Sequence, residues 1–284
     1  MYRSFINLSP QLCCESQKKS RIPTVILNNS HFRKVKRLTG QAVGDFNLIE
    51  DGDRIAVAVS GGKDSYALLH ILTQLQRRAP INYELIAVNV DAGFPGYRKE
   101  VLEDYLRQCG FQVHVEETNC TEIIEEKRRP GSSYCAFCAR LRRGVLYSVA
   151  DRLGCNKIAL GHHLDDFIET LLLNQFYVGK LAAMSPKLLA DNNRHTVIRP
   201  LVYVEESAII KLARQNEFPV IDCGCPVMGQ EDQKRQRMKQ LLTGLAEENP
   251  YLKSSMIRAL SNVQPRHLLD RDLARLMALD EQES

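Results

Sequence analysis

The stretch Ile55-Ala-Val-Ala-Val59-Ser60-Gly61-Gly62-Lys63-Asp64-Ser65 decides the fold of this chain. Residues 55–59 form a continuous apolar run rich in β-branched side chains, which predicts a strand buried on both faces, as in a parallel sheet. Two glycines follow the run, and the apolar spacing of residues 64–76 then predicts an amphipathic helix. A turn between such a strand and such a helix is where an open α/β sheet binds its ligand.

The same alternation of strand and helix patterns continues along the chain. Strands that alternate with helices of this length indicate βαβ units with right-handed crossovers around a parallel sheet. The predicted fold class is therefore α/β, a doubly wound and mostly parallel sheet with helical additions at both termini. Further strands are predicted at 85–90, 111–115 and 157–160, with a closing strand at 220–221, and further helices at 31–45, 98–108, 141–153 and 165–177.

The pattern divides the 284 residues into three parts. Residues 1–30 lack periodicity and are expected to be a loose extension, residues 31–230 to form the catalytic domain, and residues 231–284 to form a charged helical segment. A composition of 44% hydrophobic and 25% charged residues is that of an ordinary globular protein. No apolar run is long enough to cross a bilayer, and the N-terminus does not resemble a signal peptide. We therefore expect a cytoplasmic protein that does not enter a membrane.

Residues 60–65 are a candidate phosphate-binding loop. Its two glycines allow backbone N–H groups to approach an anion, and the helix that begins near Asp64 adds the positive end of its dipole. Lys63 supplies a full positive charge. The spacing differs from the Walker motif and from the dinucleotide G-x-G-x-x-G motif. A glycine turn that only joins a strand to a helix is disfavoured, because serine, lysine and aspartate side chains surround the two glycines.

The nine cysteines are many for a chain expected in a reducing compartment, so a subset is predicted to bind a metal or to carry sulfur chemistry. Cys135-Ala-Phe-Cys138 opens a predicted helix beside several arginines, which favours thiolates. A second thiol pair, Cys223-Gly-Cys225, lies far away in sequence. Three cysteine ligands would leave one iron of a [4Fe–4S] cluster without a protein ligand, and that iron could carry an extra sulfide. A structural zinc or unrelated thiols is the alternative.

Four motifs in sequence order carry a resemblance to a known family. The loop Ser60-Gly-Gly-x-Asp-Ser65 resembles that of the PP-loop ATP pyrophosphatases, which cleave ATP between the α and β phosphates. The other three motifs are Cys135 to Cys138 with the following Arg140-Leu-Arg-Arg-Gly144, Gly161-His-His-Leu-Asp-Asp166, and Ile198-Arg-Pro-Leu201. Taken together, the four motifs resemble the 2-thiocytidine synthetase branch of that superfamily over about residues 31–230.

The resemblance implies a reaction and its cofactors. The C2 oxygen of a tRNA cytidine, expected to be cytidine 32, would be adenylated by Mg²⁺-ATP and replaced by sulfur delivered through a [4Fe–4S] cluster. The resemblance also implies a homodimer and a cysteine desulfurase or another sulfur donor. The net charge of +4 permits a nucleic-acid partner without requiring one. Basic residues that could gather into a tRNA surface are Lys34, Lys36, Arg37, Arg140, Arg142, Arg143, Lys234, Arg235, Arg237 and Lys239.

The resemblance further implies roles for individual residues. Asp64 would lie near Mg²⁺ or the reacting centre, and Arg142 could touch phosphate or tRNA. The family commonly has C-x-x-C where this chain has C-x-C, so Cys225 competes with Cys223 for the third cluster position, and the register favours Cys223. Asp165 is either a nucleotide contact or a simple helix cap. The implied sets are Ser60, Gly61, Gly62, Lys63, Asp64, Ser65, Gly161, Asp165 and Asp166 for ATP, and Cys135, Cys138 and Cys223 for the cluster.

Three alternative functions are open from the residues. A related branch thiolates a tRNA uridine, but it carries additional C-x-x-C pairs at both ends, which neither Cys13-Cys14 nor the chain after Cys225 supplies. Ligation to an adenylated base would use the same loop without needing the cysteines. An iron–sulfur protein that senses nucleotide or tRNA without turnover would need both the loop at residues 60–65 and the cysteines, but it would release neither AMP nor pyrophosphate.

Overall fold

The computed structural model describes residues 29–129, 131–191, 193–227, 233–272 and 275. Residues 1–28, which include Cys13, Cys14 and nearly all of the expected extension, lie outside the described part. The helices are α1 (Ser30–Asp45), α2 (Lys63–Gln76), α3 (Lys99–Gln108), α4 (Cys120–Lys127), α5 (Tyr134–Arg152), α6 (Leu164–Leu173), α7 (Glu206–Gln215), α8 (Gln233–Glu248) and α9 (Leu252–Ala259), with a π-helical turn at Asn174–Val178 and a 3₁₀ turn at Pro265–His267. The strands are β1 (Arg54–Ala58), β2 (Glu84–Asp91), β3 (Val113–Glu117), β4 (Lys157–Ala159), β5 (Lys187–Leu189) and β6 (Thr196–Ile198).

Six strands form one sheet in the order β3-β2-β1-β4-β6-β5. All neighbours are parallel except β5, which is antiparallel to β6 and lies at the edge. The predicted mostly parallel α/β fold is confirmed. The chain leaves β1 toward β2 and later returns to β4 on the opposite side of β1, so the connections diverge there and open a crevice at the carboxyl ends of the strands.

The central position of β1 in the sheet explains the apolar run at residues 55–59. Ile55 and Val57 face a core built with α1, α2, α3 and α7, whereas Ala56 faces a second core built with α5. Successive residues of a strand point to opposite faces, so a strand covered on both sides must be apolar throughout. All three side chains are fully buried.

Several predicted elements differ from the observed ones. No strand forms at Val220-Ile221, so that prediction is wrong: Ile221 makes one backbone hydrogen bond to the loop after β1 and continues as coil. The strand predicted at 111–115 lies at Val113–Glu117, because residues 109–111 still close the preceding helix. Helix α5 begins at Tyr134, one residue before the C-x-x-C that was predicted to open a helix, and runs continuously into the predicted helix at 141–153, because Ser133 caps it. Strands β5 and β6 and helices α4 and α7 were not predicted.

The charged C-terminal segment packs onto the sheet domain. Met238 and Leu242 of α8 are buried against Leu164, Ile168 and Leu172 of α6, together with side chains of α9. The N-terminus of α6 therefore meets α8, which brings the cations of α8 toward the carboxyl edge of the sheet. No helix in the described ranges is sufficiently long and apolar to cross a membrane.

Candidate active site

The loop after β1 requires glycine at its second position. Gly61 has φ +86°, and a Cβ there would lie 2.2 Å from Cγ1 of Ile221. The Gly61 carbonyl accepts a hydrogen bond from the Ile221 backbone N–H at 3.0 Å. Gly62 precedes the first turn of α2, and its carbonyl accepts the Ser65 hydroxyl at 2.8 Å. The first N–H groups of α2 have no partner within the helix, so they are available to an anion in the crevice.

The segment after β4 lies against this loop. A Cβ on Gly161 would come within 3.2 Å of the backbone of Asp64 and Ser65, so the close approach requires glycine. His163 Nε2 lies 3.8 Å from Asp64 Oδ1, and Asp166 Oδ2 accepts the His163 backbone N–H at 2.9 Å. The two segments that the sequence singled out are therefore neighbours at the carboxyl ends of β1 and β4.

Asp64 carries an unsatisfied carboxylate oxygen. Its Oδ2 pairs with Lys63 Nζ at 3.1 Å, whereas its Oδ1 is buried and has no hydrogen-bond partner among the described residues. A buried carboxylate oxygen without a donor is costly, and a cation would relieve that cost. In the described part of the chain, no three His, Cys, Asp or Glu side chains are placed to enclose a metal ion. Mg²⁺ typically takes one or two carboxylates and completes its shell with phosphates and water, so Asp64 fits such an ion.

The two aspartates that begin α6 have different surroundings. Asp165 is buried and accepts the backbone N–H of Glu206 at 2.7 Å and Lys253 Nζ at 2.5 Å. Its carboxylate therefore caps α7 and binds α9. Asp166 is only partly buried and pairs with Arg235 of α8 at 2.7 Å. A nucleotide contact for either residue stays a prediction.

Lys63 is held by carboxylates that sequence reasoning missed. Its Nζ lies 3.0 Å from Glu206 Oε1 as well as 3.1 Å from Asp64, and Glu206 Oε2 pairs with Lys239 at 2.8 Å. Burial opposes ionisation of Glu206, but the two lysines outweigh it and lower its pKa to about 2. Burial likewise opposes the charge of Lys63, and the two acids raise its pKa. Glu206 of α7 therefore bridges Lys63 of the loop and Lys239 of α8. The Lys63 ammonium group could still donate to a phosphate.

A cavity of about 290 Å³ adjoins the loop at Ser60. It lies over the carboxyl ends of β1, β2 and β4 and beneath α5, with mostly apolar walls and a polar rim of Arg142, Arg143 and His162. Burial lowers the pKa of His162 to about 4, so its ring is neutral at pH 7, and its Nδ1 accepts Arg199 Nε at 3.3 Å. An apolar pocket with a few convergent polar groups beside a phosphate loop is suited to a nucleoside.

The two cysteine pairs lie in the same region of the fold, but among the described residues no three of these thiols are placed closely enough to enclose a metal ion. Cys138 and Cys225 pack against the same small cluster around Phe94, and the Sγ atoms of Cys223 and Cys225 are 3.1 Å apart. Burial raises the pKa of Cys225 to about 11, and the neighbouring Cys223 and Cys135 thiols shift it in the same direction. Burial also raises the pKa of Cys138, with contributions from Cys135 and Cys223, while Arg142 opposes the shift. Four thiols therefore share one electrostatic environment.

The cysteine segment is anchored beside the glycine loop. Gly224 has φ +67°, and a Cβ there would lie 2.9 Å from the Pro95 carbonyl oxygen, so this turn packs tightly against the residues after β2. Tyr97, in that same region, receives a hydrogen bond from Asn89 at 2.7 Å and donates to the Ser60 carbonyl at 3.4 Å. By donor chemistry alone, thiols suit an iron–sulfur cluster better than Mg²⁺ or another hard cation.

These features define a PP-loop protein, and the family model for the PP-loop domain matches residues 28–222. Two relatives in particular extend the match beyond this domain. The chain is 70% identical over 248 residues to the tRNA-cytidine(32) 2-sulfurtransferase of Syntrophotalea carbinolica, covering 87% of this chain and 96% of the relative. It is 64% identical over 250 residues to the enzyme of that name from Geobacter sulfurreducens, covering 88% and 97%. The chain therefore belongs to the tRNA-cytidine(32) 2-sulfurtransferase family, and the predicted resemblance is confirmed.

A solved structure shares the fold. The U34-tRNA thiolase NcsA from Methanococcus maripaludis, with its [4Fe-4S] cluster, superposes with a TM-score of 0.65 at 22% sequence identity. The match covers 83% of this chain and 80% of that chain.

Proposed function

We propose that this protein is an ATP-dependent tRNA thiolase that adenylates the C2 oxygen of cytidine 32 and replaces that oxygen with sulfur. Family membership supports the reaction class, because relatives at 70% and 64% identity carry the name tRNA-cytidine(32) 2-sulfurtransferase. The observation that carries the proposal is the bond between Ile221 and Gly61, which joins the cysteine segment to the phosphate loop. A base activated at the loop would then lie near the cysteine segment.

The chain's own groups can perform the activation step. The N-terminus of α2, the backbone at Gly61 and Gly62 and the hydroxyls of Ser60 and Ser65 would bind the β and γ phosphates of ATP, and Asp64 would hold Mg²⁺. The cavity beneath α5 would take a nucleoside. Attack of the C2 oxygen on the α phosphorus forms the C2–O–AMP bond and expels pyrophosphate. The oxygen then departs with AMP, a much better leaving group than oxide.

Cys135, Cys138 and Cys223 would hold the [4Fe–4S] cluster, with Cys225 as the competitor for the third position. When bound, the cluster would supply the sulfur that takes the place of the C2 oxygen. The Arg142 guanidinium lies between the two sites, because it lines the cavity and its charge acts on the Cys138 thiol. It would bind a phosphate of the adenylate or of the tRNA. Gly161 and Asp166 would complete the nucleotide side, and Asp165 would contribute there through its cap on α7.

The partners follow from the reaction. tRNA is the substrate, a cysteine desulfurase or another sulfur donor restores the transferred sulfur, and the working form is a homodimer in the cytoplasm. Mg²⁺ accompanies ATP. The relatives' name supports tRNA and the cytidine target.

The proposal is tested by nucleoside mass spectrometry of tRNA from cells with and without this protein. Loss of 2-thiocytidine is expected in its absence, and an unchanged level would overturn the substrate assignment. Anaerobically purified protein should release AMP and pyrophosphate only with tRNA, and a sensor without turnover would release neither. Cys135→Ser should abolish the thiolated product, with Cys109→Ser, a thiol at the end of α3, as the control. Persistence of product in Cys135→Ser would favour sulfur-independent ligation.

A further inference from the structure

An exposed apolar surface lies where α6 ends. The helix passes into the π-helical turn Asn174–Val178, and π turns are rare and concentrate at functional sites. The turn leaves consecutive side chains in solvent: Phe176 is 58% exposed and Tyr177 is 43% exposed. Gly179, at φ +71°, ends the turn, and Leu181 beyond it is also exposed. Contiguous exposed apolar side chains of this kind mark an interaction surface.

The surroundings of this surface are basic. Lys234 Nζ, at the start of α8, lies 4.8 Å from the centre of the Tyr177 ring, and Lys180 is exposed beside the turn. Residues 170–190 contain no aspartate or glutamate, and neither do residues 233–246, which hold four lysines and arginines. We call Phe176, Tyr177, Val178, Lys180, Leu181 and Lys234 the aromatic–basic patch.

The charge of the patch discriminates between partners. A second copy of this chain docked through the same patch would bring Lys180 and Lys234 of one copy against the same lysines of the other. A polyanion meets no such repulsion. Exposed aromatic rings stack nucleobases of any identity, and nearby lysines attract the backbone phosphates, which is how proteins bind unpaired nucleic acid. In a duplex the bases are stacked on one another and cannot use the rings.

The patch is tied to the active site by α8. Arg235, next to Lys234, pairs with Asp166 and Glu169 of α6, each at 2.7 Å. Asp166 in turn contacts His163, which faces Asp64 in the phosphate loop. The phosphate loop thus lies near the N-terminal end of α6 and the aromatic–basic patch near its C-terminal end, so a molecule bound at both would span α6.

We propose that the aromatic–basic patch is a stacking platform for unpaired nucleotides of the RNA substrate near the base to be modified. The inference rests on the proposed function, because it takes tRNA as that substrate. Phe176 and Tyr177 supply the stacking faces, and Lys180 and Lys234 contact phosphates. Neither aromatic side chain belongs to the ATP site or to the cysteine cluster, so their substitution leaves those sites intact.

The test measures RNA affinity of the full chain with two probes. One is a synthetic RNA hairpin whose loop contains the target cytidine, and the other is a blunt RNA duplex of equal length. Phe176→Ala and Tyr177→Ala should each weaken hairpin binding by about fivefold to a hundredfold and leave duplex binding and ATP affinity unchanged. Tyr177→Phe should retain hairpin binding, because the stacking face remains.

Tyr251→Ala is the matched control. Tyr251 is an exposed aromatic residue beyond the C-terminal end of α8, whereas Lys234 lies at its N-terminal end, and the 16-residue helix is about 24 Å long at 1.5 Å per residue. It should bind the hairpin like the parent protein. Unchanged hairpin affinity in Phe176→Ala and Tyr177→Ala, or an equal loss for the duplex, overturns the platform. A dimer that dissociates in these variants during sedimentation, with hairpin affinity unchanged, assigns the patch to a second copy instead. Failure of the parent protein to bind either RNA would overturn the proposed function as well.

Discussion

The backbone N–H of Ile221 donates to the carbonyl oxygen of Gly61 at 3.0 Å, and the Ile221 side chain fills the space that a Cβ on Gly61 would need. Cys223 follows Ile221 by only two residues. The phosphate loop and the second cysteine pair are therefore parts of one packed unit, although they lie far apart in the chain. A substitution that shifts the phosphate loop should therefore also shift Cys223 and Cys225.

Gly61→Ala is expected to disrupt this unit. The substitution forces a non-glycine residue to φ +86° and places its Cβ 2.2 Å from Ile221 Cγ1, so strain and overpacking should lower the free energy of unfolding by about 3 kcal/mol. Pyrophosphate release that depends on tRNA should fall together with the stability. Gly52→Ala is the control, because Gly52 has φ +81° and open space around its Cβ position. It should cost only about 1 kcal/mol. Equal costs in denaturant titrations would contradict the role of the Ile221 contact.

Asp64→Asn should separate activity from stability. The variant removes the buried, unpartnered charge at Oδ1, and Lys63 keeps its pair with Glu206. We expect adenylation to fall by about a hundredfold or more because the proposed Mg²⁺ ligand is lost, while the melting temperature in the absence of nucleotide stays the same or rises. Mg²⁺-ATP should stabilise the parent protein in thermal melts and the variant much less. A melting temperature several degrees lower without nucleotide would show that Asp64 is a structural group.

Glu206→Gln should remove a pH-dependent contribution to stability. The folded-state pKa of Glu206 is about 2, below its ordinary value of 4.5, so the carboxylate stabilises the fold fully above pH 4.5 and loses that contribution as the pH falls toward 2. At pH 7 the variant should be less stable by about 2 kcal/mol, and the difference from the parent protein should shrink below pH 4.5.

The measurement is urea unfolding of both proteins at several pH values. Glu205→Gln is the matched control, since Glu205 is the neighbouring residue and forms no ion pair among those of the described residues. It should give the same stability as the parent protein at each pH. A Glu206→Gln difference that does not change with pH would contradict the ion-pair chain from Lys63 through Glu206 to Lys239.

Single serine substitutions should identify the third cluster ligand. Burial raises the pKa of the Cys225 thiol to about 11, so Cys225 ionises with more difficulty, whereas Cys223 lies closer to the anchored Ile221. We expect anaerobically reconstituted Cys223→Ser to lose most of its iron and Cys225→Ser to retain it, in iron and sulfide analysis with Cys109→Ser as control. The reverse result would assign the position to Cys225.

The features that could be predicted from the sequence are those whose residues are adjacent in the chain. The apolar run 55–59, the loop 60–65 and the C-x-x-C at 135–138 each carry a local pattern, and each lies where that pattern indicates. The three-residue strands β5 and β6 were missed because they are too short to show a period, and Val220-Ile221 has strand-forming residues but no neighbouring strand to pair with.

The sequence alone determined the α/β class, the phosphate loop and the family, because these depend on local periodicity and on motifs of adjacent residues. Only the tertiary structure decided that Glu206 bridges Lys63 and Lys239, that Asp165 caps α7 and that Ile221 fills the space above Gly61. It also decided that Cys138 and Cys225 pack against the same apolar cluster. Glutamate, lysine and isoleucine are common residue types, and nothing in their local sequence shows which distant group they will contact. That choice is made when the sheet, α6 and α8 pack together and the buried charges must find partners.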